Sequence, residues 1–114
     1  MLTKDIAYQV GGKSFTGYLA DDDACGPARP GVLVCHQGGG LTEHAKERAR
    51  MLAELGYVAF ALDMYGEAVA SMEQAMSLLR GLMQNPSVLR ARAHAALDLL
   101  KAQANVDPKR LAAV

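Results

Sequence analysis

The chain has 114 residues, a hydrophobic share of 51% and a formal net charge of zero. That balance speaks against disorder and offers no basic face for nucleic acid or a membrane surface. At this length a single small domain over residues 1–114 is expected, short for a complete α/β enzyme. The apolar runs fall far below the ~18 residues that span a bilayer, and MLTKDIAYQV lacks a signal peptide's apolar stretch. Cys25 and Cys35 form no disulfide framework, so a reducing compartment, the cytoplasm, is expected.

Ile6, Tyr8 and Val10 alternate with polar neighbours, which is strand periodicity. Gly11-Gly12 supplies a tight turn, and 13–20 alternates again, predicting a β-hairpin. Residues 21–30 read as a surface loop with Cys25 exposed in it. GVLVC, residues 31–35, is the short apolar run of a strand buried on both faces of a parallel sheet, with Cys35 packed in the core. After His36-Gln37-Gly38-Gly39-Gly40 a helix begins near Thr42. Ala45, Ala49, Leu52 and Leu55 form its buried stripe, Lys46, Glu47, Arg48 and Arg50 face water, and Gly56 ends it.

The second buried strand covers 57–62, followed by a loop over 63–70. Ser71 and Gln74 form a capping box for a helix whose apolar stripe is Met72, Ala75, Met76, Leu79 and Met83. That methionine stripe reads as helix core rather than a groove. Asn85-Pro86 starts a further helix with Leu89, Ala93, Ala96, Leu97 and Leu100 on its inner face. Val106-Asp107-Pro108 reads as a turn, and Arg110 to Val114 as one more strand. The order implies a mostly parallel α/β sheet with helices on both faces. The last strand has no covering helix after it, so a missing C-terminal portion is inferred, with self-association expected at the uncovered edge.

Three successive glycines cost backbone entropy, so residues 38–40 must serve a close approach to a ligand or unusual dihedrals. They follow a strand's carboxyl end, where ligands collect in open α/β sheets. His36 either orients this loop by hydrogen bonding or contacts the chemistry directly. Asp63 and Tyr65 stand at the end of the next strand, where they line the pocket or shape a loop. His44 and His94 read as solvated.

GVLVCHQGGGL, the amphipathic helix after it and GYVAFALDMYG together resemble the dienelactone hydrolase family, within the α/β-hydrolase fold. DPKRLAAV resembles the segment leading into that family's nucleophile elbow. The resemblance implies a three-layer α/β sandwich, cut before the elbow, and hydrolysis of a small-molecule ester or lactone through an acyl-enzyme. The nucleophile, base and orienting aspartate would all lie beyond Val114, leaving the 114-residue segment inactive alone. By motif position Gly38 matches the loop donor of the oxyanion hole. Gln37 stands where the family often carries a glutamate beside the resting nucleophile; it can hydrogen-bond but cannot hold a charge. His36 and Gln37 would shape the catalytic pocket, with Gly39, Gly40 and Tyr65 against the substrate. No metal or organic cofactor is implied.

The rival reading is a nucleotide-binding module, with Gly38 and Gly40 as G-x-G and Asp63 as the ribose acid. Glu43 stands where that fingerprint needs its third glycine, and its charge would repel a pyrophosphate. A non-catalytic scaffold is the third alternative.

Overall fold

The computed structural model describes residues 1–22 and 26–114, so the expected exposure of Cys25 lies outside the described residues. The alternation at the N-terminus produces β1 (Leu2–Val10) and β2 (Lys13–Asp21), paired antiparallel with Val10 opposite Lys13. Gly11 and Gly12 take φ of +58° and +83°, the pair of positive values that a two-residue hairpin turn of the right twist requires. β2 turns Phe15 and Leu19 into the core, while β1 remains largely exposed.

The rest of the chain alternates strand and helix: β3 (Arg29–Val34), α1 (Glu43–Glu54), β4 (Val58–Ala61), α2 (Met72–Gln84), α3 (Pro86–Lys101) and β5 (Val106–Ala113). The sheet order is β1-β2-β4-β3-β5, with β3 parallel to both β4 and β5 and β2 antiparallel to β4. Strand parity sorts the core into two layers. Val32, Val34, Ala59 and Ala61 meet Ala45, Ala49 and Ala53 of α1 on one side. Leu33, Val58, Phe60 and Val106 meet Ala96 and Leu100 of α3 on the other. This is the three-layer α/β arrangement that the element order implies.

Small residues on both partners let α1 lie close to the sheet, and this moves its stripe. Ala53 takes the place expected of Leu55, which is the C-cap residue and 75% exposed. The helix ends in a Schellman arrangement: the Gly56 N–H donates to the Ala53 carbonyl at 3.1 Å and the Tyr57 N–H to Leu52 at 3.2 Å. Arg50, expected in water, instead reaches Glu43 at 2.6 Å and the Tyr18 hydroxyl at 3.0 Å.

α2 is the larger correction. Met72, Met76, Leu79 and Met83 are exposed, Met72 at 80%, and only Leu82 of this helix is buried. The stripe has helical spacing, but Met72, Met76 and Leu79 border an open cavity shared with Gly38 and Gly39 instead of packing into the core, so periodicity alone misassigned its surroundings. The capping box forms by half: the Ser71 Oγ accepts from the Gln74 N–H at 3.1 Å, while the Gln74 side chain accepts from Ala70 rather than Ser71. Asn85 holds the N-cap place of α3 without a side-chain cap and donates back to the Gly81 carbonyl at 3.0 Å.

The turn expected at 106–108 is strand. Pro30 faces Asp107 and Gly31 faces Leu111, so residues 108–110 bulge out of the ladder. Pro108 has no N–H to give the ladder, which explains both the bulge and the misreading. The Asp107 carboxylate stabilises the step by accepting from the Lys109 N–H at 3.0 Å and from Arg110 at 2.9 Å. Below it, Arg29 is buried and pairs with Asp21, whose other oxygen accepts from Asn105. The Arg29 backbone N–H also donates to the Asn105 carbonyl at 2.8 Å, tying β2, β3 and β5 together at the end of the sheet away from the glycines.

Candidate active site

β3 ends at Val34, and the next residues leave the helix-covered layers at the carboxyl end of the sheet. Cys35, expected in the core, is therefore exposed. Apolar neighbours still push its thiol pKa up, away from the thiolate form.

The loop that follows is a β-turn: the Gly40 N–H donates to the Gln37 carbonyl at 3.0 Å. Gly40 has φ of +87°, and a Cβ there would lie 3.3 Å from Val69 and 3.4 Å from Tyr65. Gly38 and Gly39 are different. Neither has a positive φ, and a Cβ on either would meet nothing within 4 Å. The backbone conformation thus demands glycine at one position, while the other two present bare backbone to open space.

Two side chains hold this turn from below. His36 Nε2 accepts from the Met64 N–H at 3.0 Å, which leaves the ring proton on Nδ1, 2.7 Å from the Gln37 carbonyl. His36 therefore does orient the loop. Tyr65 is 1% exposed, and its hydroxyl donates to the Gly38 carbonyl at 2.9 Å. The two rings lie 5.0 Å apart, and burial pushes the Tyr65 phenol pKa up.

A second layer of contacts fixes the loop after β4. Asp63 Oδ1 accepts from the N–H groups of Tyr65 and Gly66, each at 3.0 Å. One oxygen of its carboxylate is thus taken by the loop's own backbone, where the nucleotide reading makes Asp63 the acid for a ribose. The Tyr8 hydroxyl contacts the Asp63 backbone from β1, and Arg92 of α3 donates to the Met64 carbonyl at 2.8 Å. Nothing in the sequence marks Tyr8 or Arg92 as supports of this loop. Alternation aims the Tyr8 ring inward, but its partner lies 55 residues away.

Three cavities open around the turn. One of about 440 Å³ lies toward α1, with Cys35, His36, Gln37, Gly39, His44 and Arg48 in its wall. Another, about 540 Å³, lies toward α2 and includes Gly38, Gly39, Val69 and Met76. The third, about 310 Å³, is shared by Gly38, Tyr65 and Leu82. Among the described residues, neither the Gly38 nor the Gly39 N–H takes an acceptor within the chain. Unpaired donors on exposed backbone beside a cavity can hold a developing negative oxygen. Among the described residues no three His, Cys, Asp or Glu side chains gather as a metal site needs, and no helix is long and apolar enough to cross a membrane.

A parallel-centred sheet with an N-terminal antiparallel hairpin and a glycine turn at its carboxyl end is the α/β-hydrolase type of fold. The dienelactone hydrolase family profile matches residues 15–114, and the chain belongs to that family. Among solved structures, a protein designated m3DLH is 44% identical with a TM-score of 0.94; the match covers 98% of this chain and 48% of that one. A dienelactone hydrolase-like promiscuous phosphotriesterase from metagenomic libraries is 40% identical with a TM-score of 0.92, covering 98% of this chain and 47% of its own. A cold-adapted esterase from an Arctic intertidal metagenomic library, at 20% identity and a TM-score of 0.75, shares the fold; that match covers 97% of this chain and 48% of its own. The chain thus spans about half the length of these proteins. The comparison with curated proteins gave no match.

Proposed function

We propose that the full-length protein hydrolyses ester or lactone bonds by nucleophilic acyl transfer, and that this segment supplies one wall of its oxyanion hole. The observation that carries the reading is the Gly38 N–H, unpaired among the described residues, on a glycine turn at the carboxyl end of β3 and open to a cavity. A nucleophile from the half of the relatives' length that this chain does not span would attack the substrate carbonyl carbon. The carbonyl electron pair then moves to oxygen, and the oxyanion accepts from Gly38. Collapse of this intermediate expels the alcohol and leaves an acyl-enzyme for water to cleave. Gln37 and His36 border the reacting group; Gly39 and Gly40 form the wall facing the substrate, with Tyr65 beneath them. Because it carries no charge, Gln37 can hydrogen-bond a resting nucleophile but cannot take its proton.

The test is turnover of p-nitrophenyl acetate and a simple lactone by the full-length protein, with mass spectrometry for a trapped acyl adduct. The phosphotriesterase among the similar structures makes a phosphotriester the alternative substrate to include. Turnover of the triester alone, with no acyl adduct, would replace ester hydrolysis by phosphoryl chemistry at the same turn.

A further inference from the structure

A four-residue turn such as 37–40 has two common forms that differ by a flip of its central peptide, here the one joining Gly38 to Gly39. In type I both central residues have negative φ; in type II the second has φ near about +80°, which favours glycine there. Gly39 occupies that second position with negative φ, so the turn is of the type I class. With glycine at both central positions, sterics alone would not prevent the flip. Among the described residues, what distinguishes the two forms here is one side-chain contact, the Tyr65 hydroxyl donating to the Gly38 carbonyl at 2.9 Å.

A trans peptide points its carbonyl and its N–H in opposite directions. A Gly38 carbonyl drawn inward to the buried Tyr65 therefore turns the Gly39 N–H outward, toward the cavities that Gly39 lines. The flipped form would put the carbonyl oxygen there instead, and its partial negative charge would repel an oxyanion. We infer that Tyr65 is a positioning residue: its hydroxyl latches the Gly38–Gly39 peptide with the N–H facing the reacting group, so that Gly39 donates beside Gly38. The inference rests on the acyl-transfer reading above, but the latch itself is a statement about peptide orientation.

Tyr65→Phe removes the hydroxyl and keeps the ring that packs under the loop. In the full-length protein kcat for p-nitrophenyl acetate should fall roughly 10-fold, the worth of a buried hydrogen bond, with KM within about twofold. Affinity for a trifluoromethyl ketone, which forms the oxyanion, should fall in parallel. Gly39→Ala provides the control that a merely structural role would not pass. Its Cβ meets nothing within 4 Å, yet alanine disfavours the positive φ of the flipped form. Against a Gly39→Ala background, the Tyr65→Phe loss should therefore shrink to within about twofold, whatever Gly39→Ala costs by itself. An equal loss in both backgrounds, or an unchanged kcat in Tyr65→Phe, overturns the latch. A crystal structure of Tyr65→Phe separates the two ideas: a flipped peptide in the variant, with no ester turnover by the unmutated full-length protein, upholds the latch and removes the hydrolase reading. An unflipped peptide in an active enzyme does the reverse.

Discussion

Tyr8 and Asp63 are joined twice: the phenol donates to the Asp63 carbonyl at 3.2 Å and accepts from the Asp63 N–H at 3.3 Å. One side chain of the edge hairpin thereby satisfies both backbone groups of the residue that organises the loop under the glycine turn. Tyr8→Phe leaves both groups without that partner and should cost about 1–2 kcal/mol. Urea denaturation measures it, and a shift under about 0.3 kcal/mol would mean that water replaces the phenol freely.

Burial of the same phenol predicts an alkaline limb of stability. Burial, chiefly, raises the Tyr8 phenol pKa above the ordinary value of 10.0. The unfolded chain thus releases this proton first, so the stabilisation is complete below about pH 10 and declines as pH rises through the native value. Tyr65 is shifted in the same direction, also by burial. Tyr8→Phe should therefore lessen the decline between about pH 9 and 11 without abolishing it. An alkaline limb identical in wild type and variant would remove Tyr8 from the account.

Arg29 and Asp21 are buried together, at 5% and 7% exposure. Asp21→Ala strands a guanidinium in the interior and should destabilise by about 3–5 kcal/mol, far beyond a surface ion pair. Replacing both residues by leucine and methionine should cost less than the single change. The reverse ordering of midpoints would contradict the desolvation argument.

The three glycines should separate in a thermal melt. Gly40→Ala places a side chain at φ of +87° and should cost about 1–2 kcal/mol, while alanine at Gly38 or Gly39 should be near neutral for stability. Equal losses at all three would show that the loop demands glycine for a reason other than its dihedrals.

Gly38→Pro removes the proposed donor at the first central position of a turn, where proline is well tolerated. Ester turnover by the full-length protein should fall by on the order of 10²–10³ in kcat, with the fold retained by circular dichroism. Unchanged kcat in the folded variant would place the oxyanion elsewhere. The 114-residue chain alone should show no turnover above background, since the proposed nucleophile lies outside it.

The hairpin, the β3–α1–β4 unit and the glycine turn are legible because each is a local pattern: alternation, an apolar run, a glycine at a C′ position. Failures begin where direction depends on partners. The α2 methionines have the right period, but only the packed fold says that Leu82 points inward and Met76 does not. Leu55 failed for a related reason, since alanines on both surfaces bring α1 so near that a leucine at its end is left outside. In the candidate site the chain position of Gly38 and a loop-orienting role for His36 could be read, but the rest of the support could not. Tyr8, Tyr65 and Arg92 reach the two loops across separations of 55, 27 and 28 residues, and no spacing rule encodes such contacts.

The step in β5 changes how that strand keeps time. Val106 and Leu111 stand at opposite parity along the chain, yet both lie within 3.1 Å of a Cβ built on Gly31, because three residues between them drop out of phase. A regular strand that gains or loses one residue turns its face over. Here the miscount is taken up at Pro108–Arg110, so length variation at that point would leave the inward face of Leu111 unaltered.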